Sequence, residues 1–197
     1  MSETPTMTAY VDSLPDGLDA LRGCQQKASI FRQFIGRPHA TALAKVLPAE
    51  LRGLVEAPPP ATEWISEVKA TAVYLALRDL MGSDDAFLEY TYEMNRRLLS
   101  GPLYRVLFAL VSPERVIKGA ASRWGQLHRG TELRTEGFSP PRVRFRLVTP
   151  VGLVPEVLAR AYGSAYRVAI ELAGARSVDV TVESASPTAY TFALRWE

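Results

Sequence analysis

With 197 residues, 47% of them hydrophobic and 22% charged, the chain has the makeup of a folded domain with a sizeable core, which excludes wholesale disorder. A net charge of +2 and the lack of a concentrated basic face speak against nucleic acid as a partner, because phosphate affinity grows with the number of cations brought to the backbone. The lone cysteine, Cys24, forms no internal disulfide and supplies no CxxC metal or redox motif, so a reducing compartment is expected.

Residues 1–17 are polar, begin Ser2-Glu3-Thr4-Pro5-Thr6 and end in the turn signal Pro15-Asp16-Gly17, which reads as a flexible lead-in. They lack the basic and then apolar run of a secretory leader. No apolar stretch reaches the ~20 residues a membrane helix needs, so a cytoplasmic protein without membrane contact is expected. Residues 18–197 read as one α+β domain, helical over 18–130 and ββαββ over 131–197.

In the helical part, Leu18, Leu21, Ile30, Phe31, Phe34 and Ile35 keep helical spacing up to Gly36-Arg37-Pro38. Ala40 to Val55 contains Pro48 and is either two short helices or one kinked one. Ala57-Pro58-Pro59-Pro60 ends it. Thr62 is the expected N-cap of the next helix, which carries Trp64, Val68, Thr71, Ala72, Leu75 and Leu80 as far as Met81-Gly82. Ser83 opens another helix with Asp84 and Asp85 at its positive end and Phe87, Leu88, Tyr90, Thr91, Met94 and Leu98 on one broad face. Gly101-Pro102 breaks or bends it before Leu103 to Val111. Ser112-Pro113-Glu114 is a further start signal, with proline at the first helical position where its missing N–H costs nothing. That helix should reach His128, with Gly130 just past its end.

The strands have the clearest period. In Arg142-Val143-Arg144-Phe145-Arg146-Leu147-Val148 the apolar residues alternate with three arginines, so Val143, Phe145 and Leu147 face a core. Thr131 to Phe138 should pair with this strand through the turn Ser139-Pro140-Pro141. Val178, Val180 and Val182 alternate in a third strand, and Phe192, Leu194 and Trp196 in a fourth. Between the two pairs, a helix opens at Pro155-Glu156 and stops at Gly174. The expected architecture is a helical layer packed on one face of a four-stranded antiparallel sheet, with the other face wet.

Ser112-Pro113-Glu114-Arg115-Val116 with Trp124, the strand pair that follows, the helix ending Ala173-Gly174-Ala175, the Val-x-Val-x-Val strand and the terminal Phe-x-Leu-x-Trp together resemble a family expanded in myxobacteria, the domain of unknown function 2378. That family is in turn distantly similar to the haem-NO-binding, 4-vinyl-reductase-type and TRAPP Bet3-like ligand-binding domains. The resemblance spans residues 62–197, and residues 18–60 loosely. It implies helices on an antiparallel sheet, frequent dimerisation, in some members a hydrophobic pocket for a small molecule, and attachment to signalling systems rather than catalysis. The haem-binding relatives use a helix-borne axial histidine and a Tyr-x-Ser-x-Arg segment, and this chain has no such segment. With one cysteine and two histidines it cannot supply the metal cluster of the vinyl-reductase-type relatives either, so no cofactor and no metal site are expected.

His39, in an expected interhelical loop, and His128, at a helix end where the macrodipole favours a cation, are too far apart in sequence for a zinc motif. No GxSxG elbow or phosphate-binding glycine loop is present, so no catalytic residues are assigned. The arginines 142, 144 and 146 are expected to pair across strands with Glu132, Glu136, Asp179 or Glu183, rather than to bind RNA, since no stacking aromatics lie between them. Tyr90, Met94, Tyr104, Phe108 and Trp124 are the candidate lining of an apolar pocket or interface. The expected function is a non-catalytic regulatory or protein-interaction domain of Bet3-like type, homodimeric and acting through a protein partner. The alternatives are a sensor for a small hydrophobic ligand and an enzyme with a dispersed active site.

Overall fold

The computed structural model describes residues 3–101 and 111–197. In chain order its elements are α1 (Pro5–Asp12), β1 (Gln25–Lys27), α2 (Ala28–Phe34), α3 (Arg37–Val46), α4 (Ala49–Glu56), β2 (Trp64–Ser66), α5 (Glu67–Met81) and α6 (Asp84–Leu99). After the undescribed residues come α7 (Pro113–Leu127), β3 (His128–Arg129), β4 (Glu132–Ser139), β5 (Arg142–Val148), α8 (Glu156–Leu172), β6 (Asp179–Ser186) and β7 (Ala189–Arg195). The expected helix from Leu103 to Val111 falls almost entirely outside the described residues. None of the described helices is long and apolar enough to cross a membrane.

The ββαββ unit forms as its period dictates. The strands make an antiparallel sheet of order β4-β5-β7-β6, with α8 crossing between the two hairpins. Val143, Phe145 and Leu147 are buried and face Phe192, Leu194 and α8. Helix α8 approaches closely because Gly163 has no side chain: a Cβ there would lie 3.3 Å from Val180 Cγ1. The arginines point outward. Arg144 reaches Glu183 at 2.6 Å and Arg146 reaches Glu136 at 3.5 Å, so the face left wet is covered by cross-strand ion pairs.

The helical half is built round α5. Ten of its fifteen residues are buried, which is the pattern of a helix apolar on every side and enclosed by its neighbours. Its start differs from expectation. Ser66, not Thr62, is the N-cap and accepts from Lys69 N at 3.3 Å, because residues 64–66 are taken up as strand β2. Strand β2 belongs to a three-stranded antiparallel sheet of order β2-β1-β3 that the sequence pattern did not disclose. Around Pro48 the chain forms two helices, with Leu47 and Pro48 extended between them.

The expected flexible lead-in over 1–17 instead carries a docked helix. Pro5 suits the first turn of α1, and Asp79 of α5 satisfies that turn's free N–H groups, accepting from Thr6 N at 2.9 Å and Met7 N at 3.1 Å. Met7, Tyr10 and Leu14 are buried as a result. The cap comes from a residue more than seventy positions away, so local composition could not reveal it.

Candidate functional site

Where α5, α7, α8 and the small sheet meet, six polar and aromatic side chains converge in the interior. Glu67, in the first turn of α5, is 2% exposed, and His128, the first residue of β3, is 4% exposed. His128 Nδ1 lies 3.0 Å from Glu67 Oε1. The Tyr162 hydroxyl from α8 donates to the same oxygen at 3.1 Å. Trp124, one turn before the end of α7, stacks on the His128 ring at 4.0 Å and 11°, and its indole N–H donates to Thr131 Oγ1 at 3.0 Å. Strand pairing sets Gln26 directly beside His128, and Gln26 Nε2 donates to the Tyr74 hydroxyl at 2.7 Å.

Backbone geometry holds this cluster together. Helix α7 ends at Leu127, and His128 turns to extended dihedrals, φ −133° and ψ 145°, which swings its ring inward. The expected role of His128 as a cation at a helix end is therefore replaced by a buried contact with Glu67. Glu67 N donates to Cys24 O at 3.0 Å and so ties α5 to the turn before β1. Gly130, at φ +76°, lets Cys24 pack against the chain: a Cβ at 130 would sit 2.7 Å from Cys24 Sγ and 2.9 Å from Gly23 O.

Burial sets the electrostatics. It raises the hydroxyl pKa values of Tyr10, Tyr74 and Tyr162 above the ordinary phenol range, and the Glu67 carboxyl adds to the rise at each. The Cys24 thiol is raised in the same way, by burial first and Glu67 second. These hydroxyls and the thiol stay protonated: Tyr10 donates to Leu153 O at 3.2 Å, Tyr162 to Glu67 Oε1, and the thiol to Gly130 O at 3.8 Å. Glu67 Oε2 has no hydrogen-bond partner among the described residues, nor does the Tyr166 hydroxyl one turn along α8.

Of the sequence candidates, Trp124 belongs to this cluster. Tyr90 lies elsewhere: its hydroxyl donates to Phe34 O at 2.6 Å and its ring packs edge-on to His39 at 4.8 Å. Met94 is buried with Phe87 and Thr91 on the inward face of α6. Tyr104 and Phe108 lie outside the described residues. Glu67, Tyr74, Gln26 and Tyr162 were not anticipated. The available signal was an acid opening a helix whose next ten positions are almost all apolar, since such a helix is enclosed and draws its first turn inside.

Two surface clefts formed by the described residues lie away from the cluster. One, of about 590 Å³, lies over the wet sheet face between Arg142, Arg144 and Arg195. The other, of about 380 Å³, separates α1 from Leu47 to Leu51.

The whole arrangement, helical half and sheet together, is the H-NOX fold. An Fe(II) unliganded H-NOX protein from K. algicida aligns with a TM-score of 0.60 at 11% identity, covering 87% of this chain and 96% of that one. An oxygen-binding H-NOX domain related to soluble guanylate cyclases aligns with a TM-score of 0.58 at 9% identity, covering 86% and 92%. In sequence, residues 26–197 match the family described as "Protein of unknown function (DUF2378)", and the chain belongs to that family. No curated protein matches the chain.

One aligned structure is described as probing the function of haem distortion in the H-NOX family, which makes haem the group to set against these residues. The described residues do not fit it. His39 packs its ring against Tyr90, while His128 is enclosed, with one ring nitrogen at Glu67 and one ring face under Trp124. The interior is filled by Phe31, Phe87, Phe145, Phe192, Leu75 and Leu77, each at most 1% exposed. No histidine among the described residues presents a free ring to an apolar cavity.

Proposed function

We propose that this chain is a non-catalytic sensor domain, one that takes up a small molecule other than an iron-ligated haem and passes its occupancy to a protein partner. The observation that supports this most is the extent of the shared fold: 86% of the chain follows a domain described as oxygen-binding, at only 9% identity. What carries over at that distance is the frame, helices closing over a sheet with an interior junction between them. The junction here is rebuilt round Glu67 and His128. Its signalling logic would be a population shift, in which a ligand favours one placement of α7 or α8 over another and so alters a surface that the partner reads. A reducing cytoplasm suits the buried free thiol of Cys24.

Native mass spectrometry of the purified protein, with haemin titration followed at the Soret band, tests the reading. The expected result is an adduct of small non-haem mass and no Soret shift that depends on His39 or His128. A one-to-one haemin complex lost on histidine substitution would overturn it. Dimer mass with no adduct under any growth condition would favour a Bet3-like interaction domain instead.

A further inference from the structure

Hydrogen-bond accounting inside the cluster leaves two groups over, and they are complementary. Glu67 Oε2 is a buried acceptor without a donor among the described residues, because His128 and Tyr162 both approach Oε1. The Tyr74 hydroxyl accepts from Gln26 Nε2 at 2.7 Å, which uses its lone pair and leaves its own proton to be placed. Both oxygens belong to α5. Tyr74 follows Glu67 by two turns on the same face of α5, so both side chains enter the junction from one side. Gln26, which holds the Tyr74 hydroxyl, is the cross-strand neighbour of His128, which holds Glu67. The Glu67 charge is felt at Tyr74, whose hydroxyl it helps to keep protonated after burial has done most of that.

We propose that a hydroxylic ligand of water size, water itself or the hydroxyl of a small alcohol, binds at this junction, donating to Glu67 Oε2 and accepting from the Tyr74 hydroxyl. Only a group with both a proton and a lone pair completes both sides. A metal ion or an ammonium has no lone pair for Tyr74, an anion has no proton for Oε2 and meets the carboxylate's charge, and an apolar molecule serves neither. Once bound, it joins Gln26–Tyr74 and His128–Glu67–Tyr162 into one network linking β1, β3, α5 and α8. This site stands independently of the sensor reading, since it holds whether or not its occupant varies in the cell.

A crystal structure of the wild-type chain at a resolution that shows ordered water is the direct test. The expected result is density about 2.5–3.0 Å from both oxygens. A spherical peak identifies water, whereas extended density with a matching excess mass identifies the hydroxyl of a larger molecule. Empty space there, a direct Tyr74–Glu67 hydrogen bond, or a Gln26 amide turned so that its oxygen accepts from Tyr74 would each overturn the proposal. In solution, oxygen-17 magnetic relaxation dispersion should show that Tyr74→Phe loses about one long-lived water per molecule, when water is the occupant. An unchanged count beside a spherical wild-type peak would also overturn it, and if the variant fails to fold the wild-type crystal decides alone.

Discussion

Truncation of Glu67 to alanine removes the one acceptor shared by His128 Nδ1 and the Tyr162 hydroxyl. Each of the two stranded buried donors costs about 1 kcal/mol at the low end of the usual range. The lost methylene adds about 0.8 kcal/mol, so Glu67→Ala should destabilise by about 3 kcal/mol. Glu67→Gln keeps an oxygen in the Oε1 position for both donors and should cost about 1 kcal/mol. For a chain of this length the melting midpoint should fall by about 6–12 °C and 2–4 °C respectively. Urea unfolding followed by tryptophan fluorescence is the assay, since Trp124 stacks directly on His128 and adds the cluster's signal to those of Trp64 and Trp196, with circular dichroism checking that the transition is shared by the whole fold. Glu67→Ala within about 0.5 kcal/mol of wild type, or Glu67→Gln as costly as Glu67→Ala, would refute the buried shared-acceptor geometry.

Other substitutions separate the remaining parts of the argument. Phe145→Ala, at a fully enclosed ring between Tyr166 and β7, should cost ~3–5 kcal/mol in denaturant titration. Arg144→Ala breaks only an exposed pair with Glu183 and should cost far less; equal losses would mean the strand faces are exchanged. Gly130→Ala adds a clash with Cys24 and Gly23 to its positive-φ strain, so it should destabilise by ~2 kcal/mol or more beyond Gly174→Ala, which has strain but open space. Tyr166→Phe deletes a buried hydroxyl that has no partner among the described residues and should leave stability unchanged or raised by up to ~1 kcal/mol, whereas Tyr162→Phe should lose ~1–2 kcal/mol.

The parts of the fold that were legible from sequence are those whose signal is local. The alternation of Arg142 to Val148 fixes its own register, and Pro113 and Gly174 mark helix ends by chemistry that acts within a turn. Strands β1, β2 and β3 are two or three residues long and read Gln-Gln-Lys, Trp-Ile-Ser and His-Arg, too short to show any period, so they exist only because their partners arrive from elsewhere in the chain. The cluster suffers most from this. Its members Gln26, Glu67, Tyr74, Trp124, His128 and Tyr162 come from five elements, and only Trp124 stood out, on general aromatic grounds. His128 was misplaced because a histidine at a helix end has a ready local explanation, and the turn to extended backbone that carries it inward is imposed by pairing with Gln26.

Cys24 offers a way to watch that junction open. Cys24 is 4% exposed, its thiol sits against Gly130 and its backbone carbonyl accepts from Glu67 N, so a reagent reaches it only when β1 and the β3 turn separate. Burial, and then the Glu67 charge, raise its pKa, so the native chain holds less thiolate, the reactive form, than an unfolded one at the same pH. Iodoacetamide should therefore alkylate native protein at least ~100-fold more slowly than urea-unfolded protein at pH 8. The sign of the linked pH effect follows: above the unfolded thiol's pKa of about 8.5 the unfolded chain has released its proton while the folded chain retains it, so this group's contribution to stability is full below that pH and is lost as pH rises. Glu67→Ala should speed native labelling, because the side-chain ties from α5 to His128 of β3 and Tyr162 of α8 are lost, although removal of the carboxylate alone also eases ionisation. The two causes separate in the pH profile: loosening raises the rate at every pH, whereas eased ionisation only shifts the profile to lower pH. Labelling of wild-type protein at the unfolded rate would mean that Cys24 is open to solvent, and the cluster behind it would then be open as well.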